Sequence, residues 1–577
     1  MITLEVLNAM AAAEFVATLA AIFEHSPWVA RGVAELRPFN SVLHLHEAMC
    51  AAVMRAGADE QMALIRAHPE LAGRAAVQGE LTPESAREQQ GAGLSACTPD
   101  EFHSLKVLNA AYVEKFAFPF IIAVRGHTPA SVIAALQARL AHDIEAERLA
   151  ALEQIGRIAA FRLADLIEEP LGHEILSKLD YLARFSERDG ELTCSYLSAA
   201  HRATAGQLKY WMLAAGLKVR IDALGNVIGR LPAAADNAPV LMTGSHYDTV
   251  VNAGKYDGRL GIVLPIVVAA QLKRRGIALP FALDIVGFAE EEGVRFKSTF
   301  LGSSAVAGKF DTAVLANVDS DGLSMREAMH SAGLDPDAIV ASAVDPQGLL
   351  GFVEVHIEQG PVLLSEDRPV GVVTSIAGSV RALLTVVGLA GHAGTVPMHL
   401  RRDAAAAAAE IVLAVEKRCR DIPGLVGTVG RLEVLGGAVN VIPGRCDLSI
   451  DIRSDDNGVR DAAFADVVAQ AELIAMQRKV QIRIRKVLEI GRVPCSNAMQ
   501  QRWAESIKRV TGTAQVRYLP SGAGHDAMVM AQVTEMAMLF VRCGNDGISH
   551  HPEESLSEAD ADVAARVFTD FLENFSD

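Results

Sequence analysis

Six side chains in five short motifs could do chemistry together. His246 stands in TGSHYDTV, Asp257 in KYDGRLG, Glu291 and Glu292 in AEEEGVRF, His356 in EVHIEQG and His550 in GISHHPEE. Three imidazoles and two carboxylates make a mixed nitrogen and oxygen donor set that suits zinc, manganese or a similar divalent ion. One carboxylate can bridge two ions, and a spare glutamate beside the ligands can move protons. Such a set supports attack of metal-activated water on a carbonyl carbon. A lone histidine is more often structural, but here every motif lies at a predicted strand end or adjoining turn. Glycines flank nearly all of them and allow close backbone approach. Asp248, two residues after His246, is placed to orient that imidazole.

The elements that position these groups follow from the apolar pattern. From about His173 the chain alternates strands and helices. The apolar runs APVLMTGS (238–245), FALDIVGFAEE (281–291), GFVEVHIEQG and MAMLFVRCG (536–544) end in polar, reactive residues, as strands of an open α/β sheet do. Between the fourth and fifth motifs, residues 381–490 read as βαββαβ. Strand RALLTVVGLA, helix RRDAAAAAAEIVLAVEKRC, strands LVGTVGRLEVL and GRCDLSIDIRS, helix DAAFADVVAQAELIAMQ and strand KVQIRIRKVLEI follow in order. That is the ferredoxin-like pattern, inserted into an α/β domain made of residues 173–380 and 491–577. Residues 1–168 read as helices throughout, separated by turn signals at HSPW, HPELAG, LTPES and RGHTPA. The alanine-rich helix from about Pro129 either runs toward Ile167 or breaks near Gly156.

At 577 residues the chain exceeds one hydrophobic core. Its net charge of −17 argues against nucleic acid or an anionic membrane as the main partner. The seven cysteines form no CxxC pair and fit a reducing cytoplasm. The N-terminus lacks a basic n-region, so no signal peptide is expected. No run of about 20 apolar residues requires a bilayer.

With these motifs, the part from about residue 173 resembles the dinuclear metal amidohydrolases that cleave N-carbamoyl groups, within the aminoacylase and carboxypeptidase-like superfamily. The likeness is greatest to allantoate amidohydrolases, with N-carbamoyl-L-amino acid hydrolases near kin. The resemblance implies that His246, Asp257, Glu292, His356 and His550 hold two ions, manganese or zinc, with Asp257 bridging and Glu291 as general base. In the triplet Glu290–Glu292 the glutamate beside Gly293 is taken as the ligand, and the serine–histidine order favours His550 over His551. The same resemblance assigns substrate contacts to Gln359, to His392 in GHAGTVPM, to Asn440 in AVNVIPG, to Arg453 in DIRSDD and to His525 in SGAGHDA. His392 would stabilise an oxyanion, Asn440 hold a ureido group and Arg453 hold a carboxylate. Arg453 could equally pair with Asp455 or Asp456. The inserted domain would act as a lid and join two chains in a homodimer. TCSYLS around Cys194 departs from the arginine-containing turn of the related enzymes.

A second resemblance rests on FEHSPWVA, HPELAG, ESAREQQGAGL and FPFIIAVRG. Together, over residues 8–167, they are similar to 2-oxo-4-hydroxy-4-carboxy-5-ureidoimidazoline (OHCU) decarboxylases, helical enzymes of urate breakdown that use no cofactor. The match implies a catalytic His68, with Glu88 and Gln89 beside the substrate and Pro69, Phe120, Ile122 and Val124 lining the pocket. His25, His44, His46 and His103 are expected to be packing or surface residues. The two resemblances converge on a bifunctional enzyme of urate and ureide catabolism acting on small ureides. It would form (S)-allantoin at one site and hydrolyse allantoate at the other. A different ureido substrate for the hydrolase, or a helical domain serving only as scaffold, are the competing expectations.

Overall fold

The computed structural model describes residues 1–71, 97–124, 127–235 and 237–575. Glu88 and Gln89 therefore lie outside the described residues. The described part of the first 168 residues is helical, with helices that include Val42–Arg55, Ala58–Ala67, Pro99–Phe116, Pro129–Arg139 and Ile144–Leu166. They enclose a core of their own, in which Phe15, Leu45, Tyr112, Leu136 and Ile155 are buried. The alanine-rich stretch breaks before Asp143, not at Gly156. Asp143 adopts an extended backbone and accepts a hydrogen bond from the Ala146 N–H, which starts a new helix. Gly156 lies inside that helix, where its carbonyl meets His46 Nε2 at 2.7 Å. A side chain there would come within 3.2 Å of Cys50 Sγ, so the glycine serves close helix packing.

Beyond Pro170 a nine-stranded sheet carries the second core. Four strands at its centre run parallel: Ala282–Phe288, Val240–His246, Leu349–Ile357 and Met536–Val541, in that spatial order. Antiparallel strands flank them, Val227–Leu231 and Lys218–Ile221 on one side and Val370–Ile376 on the other. The central strands are buried on both faces and rich in β-branched residues, as parallel strands covered by helices must be. Helix Leu260–Arg274 packs on three of them and is apolar nearly all round because it too is enclosed. The reactive motifs sit at the carboxyl ends of these parallel strands, where an open α/β sheet places its ligands.

Residues 378–490 form a third core around a separate antiparallel sheet. The spatial order is Leu425–Thr428, Arg445–Ser454, Gly378–Val387, Gln481–Ile490, the split βαβ arrangement. The stretch expected as one strand, LVGTVGRLEVL, is two, Leu425–Thr428 and Leu432–Leu435, both paired with Arg445–Ser454. Helices Ala404–Cys419 and Asn457–Arg478 cover one face. Val380, Ala382, Leu384 and Val386 are buried, while the alternating Arg381 and Leu383 are exposed. No helix among the described residues is long and apolar enough to cross a membrane.

Candidate metal centre

His246 ends its strand, and its ring is fixed by its own turn. Nδ1 lies 3.2 Å from the Asp248 carbonyl and 3.4 Å from an Asp248 carboxylate oxygen. The Nδ1–H of His356 donates to the Ile357 carbonyl at 2.8 Å. With Nδ1 engaged, the Nε2 of each ring is turned toward Asp257, at 3.3 Å and 3.2 Å from its Oδ1. His550 approaches from the other side, its Nε2 3.4 Å from Asp257 Oδ2 and 3.5 Å from Glu292 Oε1. Asp257 thus joins two donor groups, His246–Asp257–His356 and Asp257–Glu292–His550. His246, Glu291 and Glu292 also bring ligand atoms within 4.8 Å of one another. His551 is exposed and accepts from the Glu553 N–H, away from the cluster.

The buried charges are arranged around that bridge. Burial opposes ionisation of Asp257, but the three imidazoles outweigh it and hold the carboxyl well below the usual range. Burial pushes Glu291 well above its ordinary value, with Glu292 adding to the shift, and burial raises Glu292 to about 7. The hydrogen bonds of Asp257 raise His550 to about 9. A buried group of facing carboxylates is costly without cations between them. Imidazole Nε2 atoms converging on one shared carboxylate, with Nδ1 already oriented on two of them, are what a pair of divalent ions requires. The residues present fit such a pair.

Asp248 organises this site. Its two carboxylate oxygens accept the N–H groups of Glu291 and Glu292, each at 3.1 Å, while it also contacts His246. Glu290 turns away and caps the Gly293 N–H at 2.6 Å, which separates its role from those of its two neighbours. Three further groups were not singled out from the sequence. Ser549 Oγ lies between two carboxylates, 2.9 Å from Asp257 Oδ2 and 2.8 Å from Glu554 Oε2, and donates its single O–H to one of them, while Glu554 accepts the Tyr256 and Asp257 N–H groups. Glu354, buried behind His356, accepts from Ser245 and from the Ala527 N–H. Ser549 and Glu554 stood inside the quoted motif GISHHPEE, and Glu354 inside EVHIEQG; a buried acid there was the available signal.

Residues 242–574 match the family model described as peptidase family M20/M25/M40. The chain belongs to this family. Residues 8–164 match the model described as OHCU decarboxylase, so an M20 hydrolase is fused here to a decarboxylase-like helical region. The chain is 38% identical to allantoate deiminase 1 of Glycine max, over 71% of this chain and 91% of that one. It is 39% identical to an N-carbamoyl-L-amino acid amidohydrolase of Geobacillus stearothermophilus, over 66% of this chain and 92% of that one. A crystal structure of an amidase of the hydantoinase/carbamoylase family from Burkholderia multivorans superposes with a TM-score of 0.65. It shares 31% identity and covers 70% of this chain and 97% of its own.

In this M20 hydrolase the expected substrate contacts fall into three settings. Gln359 stands at the candidate metal-binding cluster, its Nε2 donating to Asp257 Oδ2 at 2.6 Å. Its φ of 55° is a strained backbone for a residue other than glycine, of the kind that collects at functional sites. His392 and Asn440 meet on the inserted domain, where the Ala393 N–H bonds the Asn440 carbonyl; both side chains are exposed. Arg453 pairs with Asp451 rather than Asp455 or Asp456, and its Nη1 donates to the Gly522 carbonyl at 2.7 Å. His525 is only 2% exposed and packs its ring 4.5 Å from that of His356, with Nε2 2.8 Å from Ser521 Oγ. The Cys194 turn exchanges hydrogen bonds with Thr249, beneath the His246 motif.

In the helical region His68 caps the helix Ala58–Ala67 with the extended backbone that a residue before proline favours. Its Nδ1–H donates to the Leu64 carbonyl at 3.0 Å, and Nε2 is buried without a partner among the described residues. Burial pulls its pKa down to about 4. Glu24 and Arg162, a buried pair at 2.8 Å, and the exposed His25 act on its charge. Pro69 is half-buried beside it. Phe120, Ile122 and Val124 are buried, with the Phe120 ring edge-on to Tyr112 and under Arg139. Their side chains fill the core, so a pocket contact from this stretch has to come from its backbone. Arg139 and Gln154 fix that backbone at the Ile121 carbonyl and the Ala123 N–H.

Proposed function

We propose that the M20 part hydrolyses allantoate to ureidoglycine, ammonia and carbon dioxide, using two manganese or zinc ions per chain. The observation that carries this reading is the pair of donor groups sharing Asp257, with Glu291 beside them. A pair of divalent ions held by His246, Asp257, Glu292, His356 and His550 would polarise a ureido carbonyl and acidify a water molecule. Glu291, as the carboxylate, takes the proton of the attacking water and returns it to the leaving nitrogen; the burial that raises its pKa strengthens it as the proton acceptor. Arg453 holds the substrate carboxylate, Asn440 the ureido group, and His392 stabilises the oxyanion from the inserted domain. Gln359 exchanges its contact with Asp257 for one with substrate. The inserted domain closes over the site and carries the interface of a homodimer.

The helical region, by the same reading, converts OHCU to (S)-allantoin without a cofactor. A neutral His68 handles the proton at the carbon that loses carbon dioxide, with Glu88, Gln89 and the Phe120–Val124 backbone around the ring. The seven free cysteines favour a cytoplasmic protein. The fusion with a urate-pathway partner favours allantoate over other ureides. A second reading, N-carbamoyl-L-amino acid hydrolysis, has the Geobacillus relative in its favour. Ammonia release by the manganese-loaded protein from allantoate, N-carbamoyl-L-amino acids, β-ureidopropionate and ureidoglycolate decides between them. Allantoate should be fastest, and faster turnover of a carbamoyl amino acid would overturn the assignment. His68→Ala should abolish (S)-allantoin formation and spare ammonia release; an unchanged rate above the spontaneous background would leave the helices as scaffold.

A further inference from the structure

The open face of the inserted sheet bears a cavity of about 510 Å³, closed on one side by Gly522 of the hydrolase sheet's own loop. Its lining carries two cations, Arg381 and Arg453, and one anion, Asp451. Arg381 stands directly opposite Asp451 across the antiparallel pair. Asp451 Oδ2 accepts from Arg381 Nε at 2.9 Å and from Arg453 Nη2 at 2.9 Å. Its Oδ1 accepts from Arg453 Nε and Ser379 Oγ, each at 3.1 Å. Four donors fill the acceptor capacity of one carboxylate, so Asp451 fixes two guanidinium planes at once and neutralises only one.

The two arginines are engaged unequally. Arg453 spends Nε and Nη2 on Asp451 and Nη1 on the Gly522 carbonyl. Arg381 gives Asp451 only Nε, and its two Nη groups have no partner among the described residues. The cavity therefore keeps a net positive charge and unused donors, the setting for a carboxylate. Gly522 also ties it to the reaction centre. Three residues on, His525 packs against the ligand histidine His356.

We propose that Arg381 and Arg453, held in register by Asp451, form a two-arginine subsite for the carboxylate of the substrate. Arg381 is then a specificity-determining residue and Asp451 a positioning residue that acts through both arginines. This rests on the hydrolase reading above, and on its assignment of Arg453 to the carboxylate.

The test compares kcat/KM for allantoate and for its neutral primary amide, using the full-length manganese-loaded protein. Arg381→Gln lies on an exposed face, so metal content and melting temperature should match the wild type. It should lower kcat/KM for allantoate by about 10- to 100-fold, through KM, and leave the amide unchanged. Asp451→Asn should do the same in the wild type and add less than about 2-fold to an Arg381→Gln/Arg453→Gln background, because coupled residues are not additive. Equal losses on both substrates, no loss on either, or a full Asp451→Asn effect in the double variant would overturn the subsite. A wild type that ignores allantoate but turns over a carbamoyl amino acid would overturn the substrate assignment instead. The same comparison of that acid with its amide then decides the subsite.

Discussion

At the scale of single residues, Glu291 and Asp257 have separable jobs. Glu291→Gln should lower kcat by about 10²- to 10⁴-fold, the range of a lost general acid–base group, with metal content intact. Asp257→Asn should lose metal itself, since both donor groups share that carboxylate; elemental analysis of the two variants separates the roles. His68 gives a pH prediction. Burial lowers its pKa from 6.5 to about 4, so the ring remains a neutral base across the physiological range. The decarboxylation rate should hold level as pH falls to about 5 and drop with an apparent pKa near 4; a drop centred at 6.5 would show an exposed ring. The linked stability has the same sign, lost as pH falls from 6.5 through 4, because the unfolded chain binds the proton first. The candidate metal cluster was legible in the sequence because imidazole and carboxylate at strand ends declare their chemistry. Ser549 and Glu554 were not, since their part depends on which hydrogen bonds they make. The packing of the His525 ring on His356 was hidden for a related reason: sequence gives proximity to a motif but not the side from which a ring approaches.

At the scale of elements, glycines and caps decide whether the strand ends can converge. Gly258 has φ +66°, and a Cβ there would lie 2.5 Å from both Cε1 and the carbonyl oxygen of His246. Gly258→Ala should therefore reduce bound metal well below the wild-type amount while circular dichroism shows the fold retained; full metal binding would remove the steric argument. The central strands and the βαββαβ order were readable because apolar periods of two and 3.6 residues are set by local geometry. The break before Asp143 was misjudged because two signals competed. The glycine looked like a helix breaker, but close packing against Cys50 and His46 needs it, while the first helix has ended at Arg139 and the aspartate cap starts the next. The split of LVGTVGRLEVL was hidden for another reason. Both halves carry strand-forming residues, and only their shared pairing with Arg445–Ser454 separates them.

At the scale of the whole molecule, the helical region meets the hydrolase through a polar junction at the start of helix Leu171–Leu182. His173 Nδ1 lies 2.9 Å from Glu558 Oε2 and Nε2 lies 2.5 Å from the Asn40 carbonyl, two partners that only accept. Both ring nitrogens must then carry protons. Burial opposes that charge, but Glu558, the Asn40 carbonyl and Glu169 outweigh it and the pKa is raised. Burial also raises Glu169, which accepts the Val42 N–H, to about 7. Glu174 and Lys178 act on Glu169 from the hydrolase side of the junction, with opposite effects. Both shifted groups favour the docked state when protonated, so their contribution is present below the unfolded values and lost as pH rises through the folded ones. Thermal unfolding of the helical region should move to lower temperature between pH 6 and pH 9, and His173→Gln should reduce that dependence to the part that Glu169 carries. The central claim is that paired cations at Asp257 make the hydrolase work. Its most direct test is elemental analysis alongside an allantoate assay, after chelator dialysis and after manganese is restored. The stripped protein should be inactive and regain activity as it binds two ions per chain; full activity with no divalent ion bound would contradict a metal-dependent hydrolase.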